Sequence, residues 1–300
     1  MIKRRLYDIG HVLKVTAKTW FDRDPFRESA IIAYNAIFSL PGLLVLVLTI
    51  SGYVFGAEAV NGNLHTQISK MMGSDTADQI QEMVLMAHKS KESIWATIVG
   101  IVVIIIGATG VFVQLQKSFD NIWGVAPTKH KSGIRSFIMT RIFSFGLIIS
   151  IAFLLLVSLV ITSVLAAFGT WIELHWSDSW MVLFQFTNFL ISLLVITTLF
   201  ALMFKILPDA KVRWKSVWIG AFVTALLFVL GKTGLGFYFG KANPASGYGA
   251  AGSIVLILLW TSYSSMIVFF GAEFTKAYSV YHFGQIVPAE NAEEINSNKV

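Results

Sequence analysis

The chain contains no cysteine, and only 13% of its 300 residues are Asp, Glu, Lys or Arg. The first absence excludes disulfides, thiolate metal sites, thiol nucleophiles and any redox switch carried by the chain itself. The second, with 55% hydrophobic residues and a mean hydropathy of +0.69, places the chain outside the soluble globular class and among integral membrane proteins. A formal charge of +6 would suggest nucleic acid in a soluble protein. Here the position of each charge matters more than the sum.

Charges are missing from 29–57, 93–116, 142–172, 179–204 and 242–272, and 216–240 is interrupted only by Lys232. About 20 apolar residues cross the hydrocarbon core as a helix, so six runs predict six transmembrane helices. Segments such as IVVIII and FLLLVSLVI lack the alternation of a membrane barrel. The fold class is therefore all-α and polytopic. Spans are expected at about 30–56, 94–116, 137–168, 180–204, 216–240 and 250–273, within a membrane domain at 25–282.

Lys and Arg crowd the N-terminal arm, the second and fourth loops and the tail, whereas acids predominate in the intervening segments. That alternation puts both termini in the cytoplasm. The MIKRR start has no apolar h-region over 6–28, so the first span is expected to act as an uncleaved anchor. Ile2, Leu6, Ile9, Leu13, Ala17 and Trp20 form a helical stripe avoided by Lys14 and Lys18. Residues 1–24 thus read as an amphipathic cytoplasmic helix, lying on the inner leaflet or docking on the bundle. Asp24-Pro25 with Glu28 is a helix start signal for the first span. Residues 57–93 form the external segment, with a short amphipathic helix expected over 76–89. The tail 283–300, polar and acidic from Pro288, is expected to be disordered.

Two nucleotide motifs fail on context. Gly247, Gly249 and Gly252 fit G-x-G-x-x-G, but no strand precedes them and a membrane span follows. Gly231-Lys232-Thr233 resembles a P-loop end, yet Leu226 stands where its first Gly belongs. The six histidines show no metal-ligand spacing. No metal, cofactor or catalytic residue is expected, and no nucleic-acid partner.

Four features have a physical reason to matter. Lys232 stands two thirds of the way across the fifth span, where a charge is costly; it either attracts an anionic group or snorkels outward. Pro41-Gly42 breaks the first span beside Asn35 and Ser39, an arrangement that transporters use for substrate sites and that other membrane helices use for packing. Gly231, Gly234, Gly236 and Gly240 offer a smooth helix face. Glu273 with Lys276, Lys205 with Asp209, and Lys117 with Asp120 lie three or four residues apart at the inner ends of three spans. They form either a cytoplasmic gate or interfacial anchors.

Four stretches resemble the YihY/BrkB family of bacterial inner-membrane proteins, once described as ribonuclease BN. They are AYNAIFSLPGLL (33–44), QLQKSFDNIWGV (114–125), ILPDAKVRWKSVWIGA (206–221), and YGAAGSIVLILLW with SSMIVFFGAEFTKAY (248–260 and 264–278). The family more often carries an aromatic at Asn35 and a proline one step after Pro41. The resemblance implies a six-helix fold in the inner membrane and supplies no agreed activity; some members are suspected of moving lipids, and others are named as virulence factors. With the residues above, the expectation is a transporter or lipid flippase for an anionic or amphipathic envelope substrate. Lys232, Asn35, Ser39, Pro41 and Gly42 would line its path, with membrane lipids as partners. The alternative is a non-transporting scaffold or regulator of envelope assembly. Ribonuclease activity is not expected, and homo-oligomerisation is left open.

Overall fold

The computed structural model describes residues 2–38, 110–127 and 178–295 apart from 243, 245 and 291, with short pieces at 65–66, 69, 77–78 and 81–82. The described part is built from six long helical segments. These are α1 (Ile2–Asp22), α2 (25–38) and α3 (110–123), α4 (Asp178–Ile206), α5 (Trp214–Ala242) and α6 (Gly252–Phe283). Four short strands accompany them: β1 (Val125–Pro127), β2 (Ala210–Lys211), β3 (Val287–Pro288) and β4 (Ala292–Glu294).

α4, α5 and α6 are long and apolar enough to cross a membrane, as expected for the fourth, fifth and sixth spans. α2 and α3 present the start of the first expected span and the end of the second. The expected third span, the break at Pro41-Gly42 and most of 57–93 lie outside the described residues; within the latter, His65 meets Asp78 at 2.8 Å. Large apolar side chains such as Phe186, Phe189, Leu194, Phe222 and Leu230 remain exposed on α4 and α5, which suits a lipid solvent. At 32 residues, α6 is about 48 Å long at 1.5 Å per residue, well beyond a hydrocarbon core of about 30 Å.

The last third of α6 receives α1, which runs antiparallel to it. Trp20 sits edge-on to Phe270, and Asp8 accepts a 2.7 Å hydrogen bond from the Tyr281 hydroxyl. Among the described side chains of α1, Val12 and Thr16 are buried, while Ile9 and Leu13 of the expected stripe are exposed. Just past α1 the chain turns at Asp24, whose φ is 52°; Asp is one of the few side chains that tolerates this left-handed region. The same residue caps α2, its Oδ1 accepting from Arg27 N at 3.4 Å, as the Asp-Pro signal predicts.

The core gathers where α3 ends. Phe119 is fully buried and packs edge-on against Trp123, Phe204 and Phe269 at 5.5, 5.7 and 6.4 Å between centroids. α5 and α6 cross beside it through a reciprocal device. Thr224 Oγ1 donates to Gly220 O and Thr275 Oγ1 to Gly271 O, both at 2.7 Å, so each hydroxyl is satisfied within its own helix. Each Thr then fills the space over the other helix's glycine: a Cβ on Gly220 would run into Thr275, and one on Gly271 into Thr224. Small residues that let helix backbones approach supply van der Waals contact where lipid tails leave no hydrophobic drive. Of the glycine face expected on α5, Gly231 packs under Tyr263 and Ile267, whereas Gly234, Gly236 and Gly240 have no described neighbour within 4 Å of a built Cβ.

The described part of the tail, as far as 295, departs from its expected disorder. α6 stops at Gly284, φ 82°, and the chain returns so that β3 pairs with β2 and β4 with β1, both antiparallel. Polar composition hid these strands because their pairing uses backbone groups, which every sequence carries.

Gly271→Ala should destabilise the protein by about 1–3 kcal/mol through overpacking, and adding Thr224→Gly should recover part of the loss. Gly234→Ala should be tolerated. Melting in detergent micelles measures all three; a double variant no better than Gly271→Ala would remove the crossing as the source of the cost.

Candidate functional site at the charged end of the helices

A helix that stops leaves its last carbonyls without partners inside the helix. α3 stops at Gly124, φ 74°, whose N–H returns to Asn121 O at 3.2 Å, a common left-handed helix stop. Two cations from other helices complete the cap. Arg23 Nη1, just past α1, donates to Asn121 O at 2.9 Å, and Lys276 Nζ on α6 donates to Ile122 O at 2.7 Å. Positive charge at a helix C-terminus also opposes the negative end of the helix dipole.

Arg23 continues to α6, where its Nε lies 2.6 Å from Glu273 Oε1. The two atoms are close but poorly aligned for a hydrogen bond, since each lacks a partner meeting angular criteria; the contact is an ion pair. The Glu273 side chain is 3% exposed and that of Arg23 31%, so the carboxylate is out of water while the guanidinium still reaches it. One turn earlier on α3, Ser118 Oγ donates to Glu28 Oε2 at 3.0 Å. A small cavity of about 20 Å³ separates these groups.

Asp120, buried on α3, accepts from Asp209 N at 2.8 Å. Burial pushes its carboxyl up to about 7, the Asp209 amide working against that rise and the Asp209 carboxylate adding to it. Burial raises Asp209 as well. Lys205 turns away from both acids. Its Nζ donates to Val212 O at 2.5 Å and lies 5.6 Å from the Trp214 ring centroid, closing the α4–α5 connection.

Comparison with known proteins gives this arrangement a family. The family model described as virulence factor BrkB matches residues 17–296, nearly the whole chain. The chain belongs to the BrkB family. Its relatives include UPF0761 membrane proteins of Saccharophagus degradans (24% identical over 92% of this chain), Tolumonas auensis (26% over 86%) and Legionella pneumophila (25% over 94%). The aligned part spans 61%, 82% and 65% of those proteins, so the first and third are considerably longer. No solved structure matches the chain.

For this BrkB-family membrane protein the structure sorts the residues singled out by sequence. Glu273, Lys276, Asp120 and Asp209 come together around the end of α3. The same-helix pairings do not form: among the described residues Glu273 pairs with Arg23, Lys276 and Lys205 hold backbone carbonyls, and Lys117 is exposed. Charges at helix spacing are better placed here to reach a neighbouring element than each other. Asn35 is half-buried; its Nδ2 donates to Ile31 O at 2.8 Å, and its Oδ1 faces Gly110 where α2 nears α3. Ser39, Pro41 and Gly42 lie outside the described residues. Lys232 is exposed on α5. Sequence reasoning missed Arg23, Glu28, Ser118 and Asn121 as partners. Arg23 carried one signal, a cation directly before the Asp24-Pro25 turn, which fixes it at a helix junction.

Asp120 lies beyond the apolar run of its span, and its titration has a sign. A carboxyl near 7 when folded and near 3.8 when unfolded holds more proton in the folded state between those values, so stability falls as pH rises through that window. The melting temperature in detergent should therefore drop between pH 5 and pH 8, and Asp120→Asn should flatten the drop. Equal drops in the two proteins would mean that Asp120 ionises normally.

Proposed function

We propose that the protein is a transporter or lipid flippase for an anionic or amphipathic envelope substrate in the bacterial inner membrane, with its charged end as the cytoplasmic gate. The observation that carries this reading is that the side-chain polar contacts around the end of α3 join different elements. Arg23 binds Glu273, Ser118 binds Glu28, Lys276 holds Ile122 O and the Asp209 amide holds Asp120. Such a layer opens only if helices move relative to one another, and discrete exchange of interhelical contacts is how gates switch. The carboxylate of that ion pair is buried while its guanidinium is partly exposed, and such a pair is a weak source of stability, which suits a switching role.

The cytoplasmic assignment rests on the Lys and Arg bias of the arm, alternate loops and tail. In the first span Asn35, Ser39, Pro41 and Gly42 are the proposed substrate contacts, with Lys232 as the cation that draws a substrate anion. Glu273, Lys276, Asp120 and Asp209 serve the gate, and Lys205 holds the adjoining α4–α5 turn. Lys117 is left as an interfacial anchor. Membrane lipids are the natural partners.

Two experiments test the reading. The cysteine-free background allows single-site labelling: Asn63→Cys should react with an impermeant maleimide in intact cells and Ser297→Cys only after permeabilisation. Reversed labelling would invert the topology and move the gate outside. In proteoliposomes holding fluorescent phosphatidylglycerol, translocation should exceed that of protein-free vesicles, fall about tenfold in Lys232→Leu and rise in Glu273→Gln; tenfold corresponds to about 1.4 kcal/mol of barrier. Wild-type protein with no translocation would favour the scaffold.

A further inference from the structure

Beside the polar layer a second, wider cavity of about 360 Å³ lies between the stop of α3, the last turns of α6 and the returning tail. Its volume is in the range of small-molecule sites, about 300–1,000 Å³. Arg23 and Lys276 both line it, joined by the side-chain amides of Asn121 and Gln285, and Trp123 and Ile286 contribute apolar wall. The cations are only partly used by α3. Lys276 places one contact on Ile122 O of the three its ammonium can donate, and Arg23 places Nη1 on Asn121 and rests Nε against Glu273 without a hydrogen bond, out of five N–H donors. Glu273 does not line this cavity. The acid that does is Glu294, carried by β4 opposite Val125.

We propose that this pocket binds a small phosphate-bearing anion, held by Lys276 and Arg23 against the amides of Asn121 and Gln285. Two cations fixed on separate helices, one compact and one a planar fork, give the multiple charge-assisted donors that phosphate oxygens accept. The tail is the fourth wall of the site, tied down by Ile295 N on Gly124 O at 2.9 Å. A transporter and a scaffold would carry the pocket alike, so the proposal is independent of translocation. The phosphate has two sources with one chemistry: a phospholipid headgroup from the adjacent leaflet, or a soluble phosphate ester.

The test uses the full chain. Purified protein is titrated with sn-glycerol 3-phosphate, with glycerol as control, following the melting temperature; nanodiscs of phosphatidylglycerol or phosphatidylcholine are compared by native mass spectrometry for retained lipid. Stabilisation by glycerol phosphate identifies the soluble source, and selective retention of phosphatidylglycerol identifies the lipid; either supports the pocket. Lys276→Gln should then weaken binding about tenfold. Glu294→Gln should tighten it by roughly fivefold, the scale of one nearby charge at the surface, an outcome that misfolding cannot imitate. If Lys276→Gln fails to fold once Ile122 O loses its partner, Glu294→Gln decides alone. No binding above the glycerol and phosphatidylcholine controls overturns the proposal, as does an affinity unchanged by Glu294→Gln.

Discussion

A helix terminus set in a crowded, partly apolar surrounding cannot rely on water for its carbonyls, and α3 ends in such a place. Its last turn carries Phe119 and Trp123 into the buried core, so the carbonyls of Asn121 and Ile122 must find donors in the protein. Arg23 and Lys276 supply them. Once that requirement is met, much else at this end follows. Arg23 is held just past α1, where the arm meets α6, and Lys276 is held about three quarters of the way along α6. The capping cations thereby tie the arm, α3 and α6 to one another.

The apolar and polar parts of this assembly divide the labour. The Gly220–Thr275 and Gly271–Thr224 contacts set how closely α5 and α6 approach, and both threonine hydroxyls are satisfied inside their own helices, so neither is left to choose a wrong neighbour. That crossing is closely packed. Around α3 the polar groups instead reach between elements, where a shift of one helix would trade one partner for another. Close packing beside exchangeable polar contacts is the arrangement from which a bistable gate can be made.

What the sequence revealed and what it hid follow one physical division. Charge-free runs specify spans because hydrocarbon excludes charge whatever the partner, and α4, α5 and α6 stand where those runs are. The Asp24-Pro25 signal was legible because a cap is a local interaction. Partners chosen across space were not. Glu273 and Lys276 are three residues apart, yet one reaches a cation 250 residues away in the chain and the other a backbone carbonyl on α3; a carbonyl acceptor has no signature, since every residue has one. Periodicity likewise found α1 but not its docking edge, because Val12 and Thr16 lie beside the Ile9 and Leu13 stripe on the same helix and only the shape of α6 selects between them.

The tail shows why this matters for function. Its polar, acidic composition excludes a core of its own, but pairing with β1 and β2 demands only backbone groups, so ordering it needs a template and not hydrophobicity. The template is supplied by the segments that follow α3 and α4. The tail strands pair with the segments that follow α3 and α4, and Glu294 lines the cavity with Lys276 and Arg23. On the proposed reading the charged end would be coupled in both directions: an anion bound beside the α3 cap would bear on the helices that carry it, and a separation of those helices would bear on the pocket. This coupling needs no long path through the membrane, because both elements of it meet at the same two cations.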